Sequence, residues 1–253
     1  MADRYPAPAL SAFASQLLRR AGLDADRADD VAAILVEGDL MGHTTHGLQL
    51  LGPYLQSLEE GTMTRTGQPG VVADRGAALT WDGNFLPGPW LVLRAMGIAF
   101  ARLPEHPVVS VAIRRSHHIG CLAAYLKRAT DRGYAMLLLC SDPSVASVAP
   151  FGAIAGRYTP NPLAFGFPTG GGPPVLIDIS ASTTTNGLVT RLNRSGKGER
   201  LPGAWLVDNR GDATDDPAAF AADPPGAILP LGGMDLGHKG FGLGLLVLSL
   251  IHI

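Results

Sequence analysis

The feature that most constrains the fold is a change of hydrophobic period near Val71. Before it, apolar residues recur at helical spacing; after it, they come in short runs suited to strands. Ser11 is placed to cap a first helix carrying Phe13, Leu17 and Ala21 on one face, with Gly22 as its stop. Asp24 or Asp26 opens a second helix, with Val31, Leu35 and Val36 inward and an end near Gly42. Leu48, Leu51, Leu55 and Leu58 mark a third, stopped by Gly61. Residues 1–66 are expected to form an N-terminal helical subdomain, with residues 67–253 as a second region.

In that second region, β-like runs at 71–73, 78–81, 108–113, 135–140 and 175–179 surround two helical patterns, 89–102 and 122–132. Pro89 suits the first turn of the earlier one. This order predicts an α/β (mixed) fold. Beyond Gly152 the density of Gly and Pro predicts much irregular backbone, and the segment Arg191 to Arg200 reads as a mobile loop.

Charge and cysteine usage remove several functions. A formal net charge of −2, with Lys and Arg dispersed, gives no pull toward nucleic acid or an anionic membrane. Cys121 and Cys140 are the only cysteines; they lack CxxC spacing, so neither a zinc knuckle nor a disulfide framework is supported, and a reduced, cytoplasmic setting is expected. The segment Met1 to Arg4 has no apolar signal core. The apolar tail from Gly240 to Ile253 is 14 residues, shorter than a membrane span, and it stops without polar closure or a cap, which predicts a C-terminally truncated chain.

The residues best suited to chemistry are histidines in turns. Ser116-His117-His118-Ile119-Gly120 lies where a strand-like run gives way to a helical one, and His46 lies in Thr44-Thr45-His46-Gly47 between two helical patterns. Imidazole moves protons near neutral pH, and a nearby helix N-terminus helps hold it neutral. The same residues admit a structural reading, because histidine is common as a partly buried or capping side chain. No G-x-G-x-x-G follows a strand: Gly240 to Gly244 resembles that fingerprint but comes after Leu236-Gly237-His238-Lys239. No Walker loop, no H-E-x-x-H or other metal-ligand spacing and no G-x-S-x-G is present, so no metal site is expected.

Four further segments each have an easy structural reading when taken singly. They are Cys140-Ser141-Asp142-Pro143, Asn161-Pro162-Leu163-Ala164-Phe165 (preceded by Pro150-Phe151-Gly152), Ile177-Asp178-Ile179-Ser180, and Leu229-Pro230-Leu231-Gly232-Gly233 leading into His238-Lys239-Gly240. In order, together with Gly42 to Gly47 and Ser116 to Gly120, they resemble the malate/L-lactate dehydrogenase family that lacks a Rossmann fold. That family includes ureidoglycolate, sulfolactate and diketogulonate enzymes and cyclic-imine reductases. The resemblance runs from about Ala9 to the last residue.

The resemblance implies a mixed-sheet NAD(P)-binding domain, a homodimer, and hydride transfer between NAD or NADP and a small 2-hydroxy acid, 2-oxo acid or cyclic imino acid. It implies that His118 is the acid/base and that His46 is its active-site partner, a proton donor or substrate ligand. It assigns cofactor contacts to Ser141, to the strand end Asp178, Ile179 and Ser180, and to His238 and Lys239 before the Gly-rich helix. The chain departs from the family in three ways. Leu50 stands four residues after His46, where an arginine commonly grips the substrate carboxylate. The turn Thr159-Pro160-Asn161-Pro162 replaces Gly-Thr-Asn-Pro. The family's C-terminal segment is missing. The alternative in another class is a small-molecule-binding or structural homologue without turnover.

Overall fold

The computed structural model describes residues 4–251, with side chains through Leu250; Met1 to Asp3 and the last two residues of the apolar tail lie outside it. The chain divides into two compact units that meet between Arg128 and Ala129.

The first unit opens with helices α1 (Ala7–Arg20), α2 (Ala25–Leu40) and α3 (Leu51–Glu60). Helix α1 starts behind Pro6, without a side-chain cap, because proline fixes the first-turn backbone; Ser11 lies inside the helix, contrary to expectation. Its inward face is also rotated from the expected one: Ala14, Ser15 and Leu18 are buried, whereas Phe13 is exposed. The α2 and α3 patterns hold. Val31, Leu35 and Val36 are buried, and Gly61 ends α3 in the left-handed conformation at φ 75°. Leu18, Leu35, Tyr54 and Leu58 form the centre of this core, each fully buried Leu contributing about 2 kcal/mol.

A hairpin follows, β1 (Gly70–Asp74) antiparallel to β2 (Ala78–Asp82), and β2 pairs in parallel with β3 (Ser110–Arg114). Parallel neighbours need a crossover, which is α4 (Gly88–Arg102). The expected boundary at residue 66 is not where the compact units divide. Contacts across it are the physical reason. The Trp90 indole on α4 donates to Asp26 at 3.1 Å, and the buried Arg27 guanidinium lies 4.5 Å over the same ring. Arg27 also donates to the carbonyls of Arg65 and Gly67. Helix α5 (Ala123–Thr130) reaches the end of this unit.

The second unit holds the antiparallel sheet β4 (Met136–Leu139), β5 (Leu163–Phe167) and β6 (Val175–Ile179). A small sheet of β7 (Leu206–Val207), β8 (Ala213–Thr214) and β9 (Ala227–Ile228) packs with Val148, Tyr158 and Val189 into its core. Helix α6 (Asn186–Ser195) takes the first half of the Arg191 to Arg200 segment expected to be a mobile loop. The Thr185 hydroxyl accepts from the Leu188 backbone at its start, Gly196 ends it at φ 64°, and Val189 is its buried residue. Helix α7 (Gly233–Ile251) closes the described chain.

Candidate active site

The two turn histidines come together in the first unit. Their rings lie 5.8 Å apart between centroids with planes inclined by 24°, a stacked pair. His118 is exposed and His46 half-buried, so both imidazoles sit at the surface of a well-packed unit.

Each is placed by close backbone packing. The chain leaves α2 through Gly42, at φ 85°, into a 3-10 turn spanning Thr44–His46. A β-carbon on Gly47 would lie 2.1 Å from an Asp39 carboxylate oxygen. Glycine there lets Asp39 accept from the Leu48 backbone at 2.9 Å and hold the turn. The Thr45 hydroxyl lies 2.9 Å from His46 Nδ1.

The segment bearing His118 runs across the start of α4. A β-carbon on Gly88 would come 2.3 Å from the His117 carbonyl oxygen and 2.4 Å from that of His118, so only glycine allows this crossing. The terminus under this segment is that of α4. His117 donates its backbone N–H to Leu86 at 3.1 Å, and the Tyr125 hydroxyl donates to the Ile119 carbonyl.

Just before it lies a knot of left-handed non-glycine residues: Asn84 at φ 51°, Phe85 at φ 55° and Arg115 at φ 51°. Their strain is held by Asp82. Its carboxylate accepts from Arg115 Nε at 2.8 Å and Nη2 at 2.7 Å, from Arg114 Nε at 3.2 Å, and from the Asn84 backbone at 3.0 Å. The Arg115 hydrogen bonds hold its carboxyl well below the usual range, to about 2.

One further side chain meets the pair, from α3. Tyr54 is buried, and its hydroxyl lies 2.7 Å from His118 Nδ1 and 3.1 Å from the His118 carbonyl oxygen. The Gly120 N–H donates to the same Nδ1 at 3.1 Å. Tyr54 lies three residues beyond Leu51 on α3, outside the leucine pattern that marked this helix, and its histidine partner is 64 residues away. Leu50 packs against the N-terminal core.

The second group of expected residues gathers in the second unit. Register aligns Leu139, Leu163 and Ile179, so β4 and β6 end together. Ser141 follows one end and Ser180 the other, while Asp178 faces the side opposite to Ile179. The Ser141 hydroxyl donates to Asn161 at 2.6 Å, and the Asn161 amide donates to the Gly244 carbonyl on α7 at 3.0 Å. Backbone bonds continue the chain of contacts, from Ala181 to Pro160 at 2.9 Å, Leu231 to Ala181 at 2.9 Å, and Gly240 to Leu231 at 3.1 Å.

His238 and Lys239 do not precede the glycine-rich helix, as expected, but sit in its second turn. The reason is Gly232 at φ 100° and Gly233 at φ 65°, which turn the chain early enough for Leu236 to donate to Gly232 and start the helix. Both side chains are exposed, and the His238 ring lies edge-on to Phe151 at 5.6 Å. Burial pushes the neighbouring Cys140 thiol up to about 12, with the Asp178 carboxylate adding to it.

Residues 5–250 match the malate/L-lactate dehydrogenase family. The chain belongs to that family. It is 35% identical over 234 residues to an L-lactate dehydrogenase of Cupriavidus necator, covering 92% of this chain and 65% of that protein. It is 31% identical to a Delta(1)-pyrroline-2-carboxylate reductase of Ancylobacter novellus, covering 90% and 63%. A crystal structure of a dehydrogenase from Sinorhizobium meliloti superposes with a TM-score of 0.84 at 34% identity, over 98% of this chain and 70% of that one. The chain therefore spans just under two thirds of the length of these curated relatives. Membership in this family accords with the mixed sheets. Among the described residues, no helix is long and apolar enough to cross a membrane.

Proposed function

We propose that this chain carries the proton-transfer and cofactor-binding residues of an NAD(P)-dependent oxidoreductase acting on a small 2-hydroxy acid, 2-oxo acid or cyclic imino acid. The observation that carries the reading is the stacked His46–His118 pair, with His118 exposed and its Nδ1 tied down by Gly120 and Tyr54. In this reading the His118 imidazole exchanges a proton with the substrate, a task for which this side chain is suited near neutral pH. The dehydrogenase and reductase names of the relatives support the reaction class.

The reading assigns the proton to residues of the first unit and the cofactor to residues of the second. The second unit's groups suit a dinucleotide. The Asp178 carboxylate accepts from ribose hydroxyls, the Lys239 ammonium offsets phosphate charge, and Ser141, Ser180 and His238 add polar contacts beside Ile179. Two buried atoms on the segment after Ser180, Thr184 Oγ1 and Asn186 Oδ1, have no hydrogen-bond partner among the described residues, which fits a strand end built to meet a polar ligand. When bound, the nicotinamide supplies or accepts the hydride. His118 gives a proton to the oxygen or nitrogen that gains charge during reduction, and takes it back in the reverse direction. His46, stacked on it, orients the substrate or shares that proton.

Leu50, packed on the apolar core, cannot hold a carboxylate, so this reading looks for substrate charge recognition elsewhere in the protein. The resemblance also carries a cytoplasmic homodimer, whose stoichiometry sedimentation would read. The test is a fluorescence titration with NADH and, separately, NADPH, followed by turnover of 2-oxo and cyclic imino acids. Saturable binding and turnover support the reading and give the nucleotide preference. Binding without turnover favours the non-catalytic homologue, and no binding of either nucleotide contradicts the cofactor assignment.

A further inference from the structure

The two turns that carry the histidines rest on one residue of α2. Gly38 lies inside that helix and is buried. Its carbonyl accepts from the His43 N–H at 2.9 Å, so the chain leaving α2 folds back over it on the way to His46. A β-carbon on Gly38 would stand 3.1 Å from the His46 carbonyl oxygen and 3.5 Å from Gly47 Cα. The same β-carbon would stand 3.2 Å from Cys121 Cβ, on the segment that carries His118. Carbon atoms in ordinary contact lie about 3.5–4.0 Å apart, so the gap at Gly38 is too narrow for a methyl group unless its neighbours give way.

Gly120 closes the joint from the other side. Its φ of 71° is left-handed, and a β-carbon there would meet Ile34 Cγ2 at 3.5 Å and the His46 carbonyl oxygen at 3.7 Å. The His46 carbonyl thus sits between Gly38 of α2 and Gly120 of the His118 segment. Glycine at both positions keeps a side chain out of the gap. Helix propensity does not explain Gly38, because glycine is less favourable than alanine inside a helix. What glycine supplies there is the close approach of three backbone segments.

We propose that Gly38 is a positioning residue for the His46–His118 pair: by bearing no side chain, it sets the 5.8 Å separation of the two rings through the backbones of both turns. This rests on the reading of the two histidines as the proton-transfer pair, but the separation is measurable without turnover.

The test is Gly38→Ala in the full chain, with Gly97→Ala as control. Gly97 is a helix glycine of α4, and a β-carbon there meets nothing within 4 Å. Both substitutions favour their helices, so the two differ in what the new methyl touches. Proton NMR reads the imidazoles, assigned from the signals lost in His46→Gln and His118→Gln. Stacked rings shield each other and give a cross-ring nuclear Overhauser effect. Gly38→Ala is expected to shift the ring protons of both histidines and weaken that effect, and Gly97→Ala to leave them unchanged. In turnover, kcat of Gly38→Ala should fall roughly three- to ten-fold with nucleotide affinity within about two-fold, since a misplacement of about 1 Å costs on the order of 100-fold. Unchanged ring signals in a folded Gly38→Ala would overturn the proposal. If that variant does not fold, the parent chain decides: a strong Overhauser effect from Gly38 Hα to Cys121 Hβ supports the joint, and its absence overturns it. Shifted ring signals with full turnover in His118→Gln would sink the proton-transfer reading while leaving Gly38 as the spacer of the rings.

Discussion

Gly88 lies so close beneath His118 that a β-carbon on it would come 2.4 Å from the His118 carbonyl oxygen. The start of α4 and the segment from Ser116 to Gly120 are thus one packed object, and the histidine can be no better placed than that crossing allows. Gly88→Ala is expected to push the segment outward, costing about 1–3 kcal/mol of stability by overpacking. Turnover should fall more than stability explains, while nucleotide affinity holds. Thermal denaturation paired with steady-state kinetics checks this; full activity in a destabilised variant would contradict it.

Asp82 gives a pH dependence with a definite sign. Its folded carboxyl is held at about 2 by the Arg115 hydrogen bonds, below an unfolded value near 3.9. Its contribution is therefore complete above about pH 4 and is lost as pH falls toward 2. Asp82→Asn should flatten the acid limb of a stability–pH curve relative to the parent. It should also loosen the knot of Asn84, Phe85 and Arg115. An unchanged acid limb would argue against the carboxylate as the clamp.

Arg27 ties the chain after α3 to α2. It donates to two backbone carbonyls and covers Trp90, and it is almost wholly buried. Arg27→Ala should cost about 3 kcal/mol, and Arg27→Lys less, since an ammonium keeps the charge but not the two-pronged geometry. Chemical denaturation of the three proteins reads the order.

Much of the first unit was legible because its signals are local. Val31, Leu35, Leu51 and Leu58 repeat at helical spacing, and Gly61 and Gly42 stop the helices where a left-handed residue is needed. The inward face of α1 was not, because Phe13 looks like core while small Ala14 and Ser15 provide the close packing. The second half of helix α6 was read as loop because the basic group from Arg191 to Arg200 is interrupted by Gly, Ser and Glu; the helix's own signals were Thr185 and Gly196 at its ends. At the candidate site, His46 and His118 were found from their glycine-flanked turns. Tyr54 was missed because a buried tyrosine at helical spacing carries no mark of a partner far along the chain.

Asn161 joins Ser141 to α7 while wholly buried at φ 44°, a conformation asparagine tolerates better than most residues. Asn161→Ala strands the Ser141 hydroxyl and introduces a strained backbone, and should cost about 2 kcal/mol. On the cofactor reading it should also weaken NADH or NADPH binding several-fold. Binding unchanged in the folded variant would separate this linkage from the cofactor contacts.

The most direct measurement is single-turnover hydride transfer by the parent chain and by His118→Gln, with nucleotide affinity measured on both. A general acid/base at this position predicts a loss of roughly 100-fold or more in the chemical step, with nucleotide affinity within a few-fold. Equal rates in the two proteins, or equal loss of rate and of nucleotide binding, would contradict the role assigned to His118.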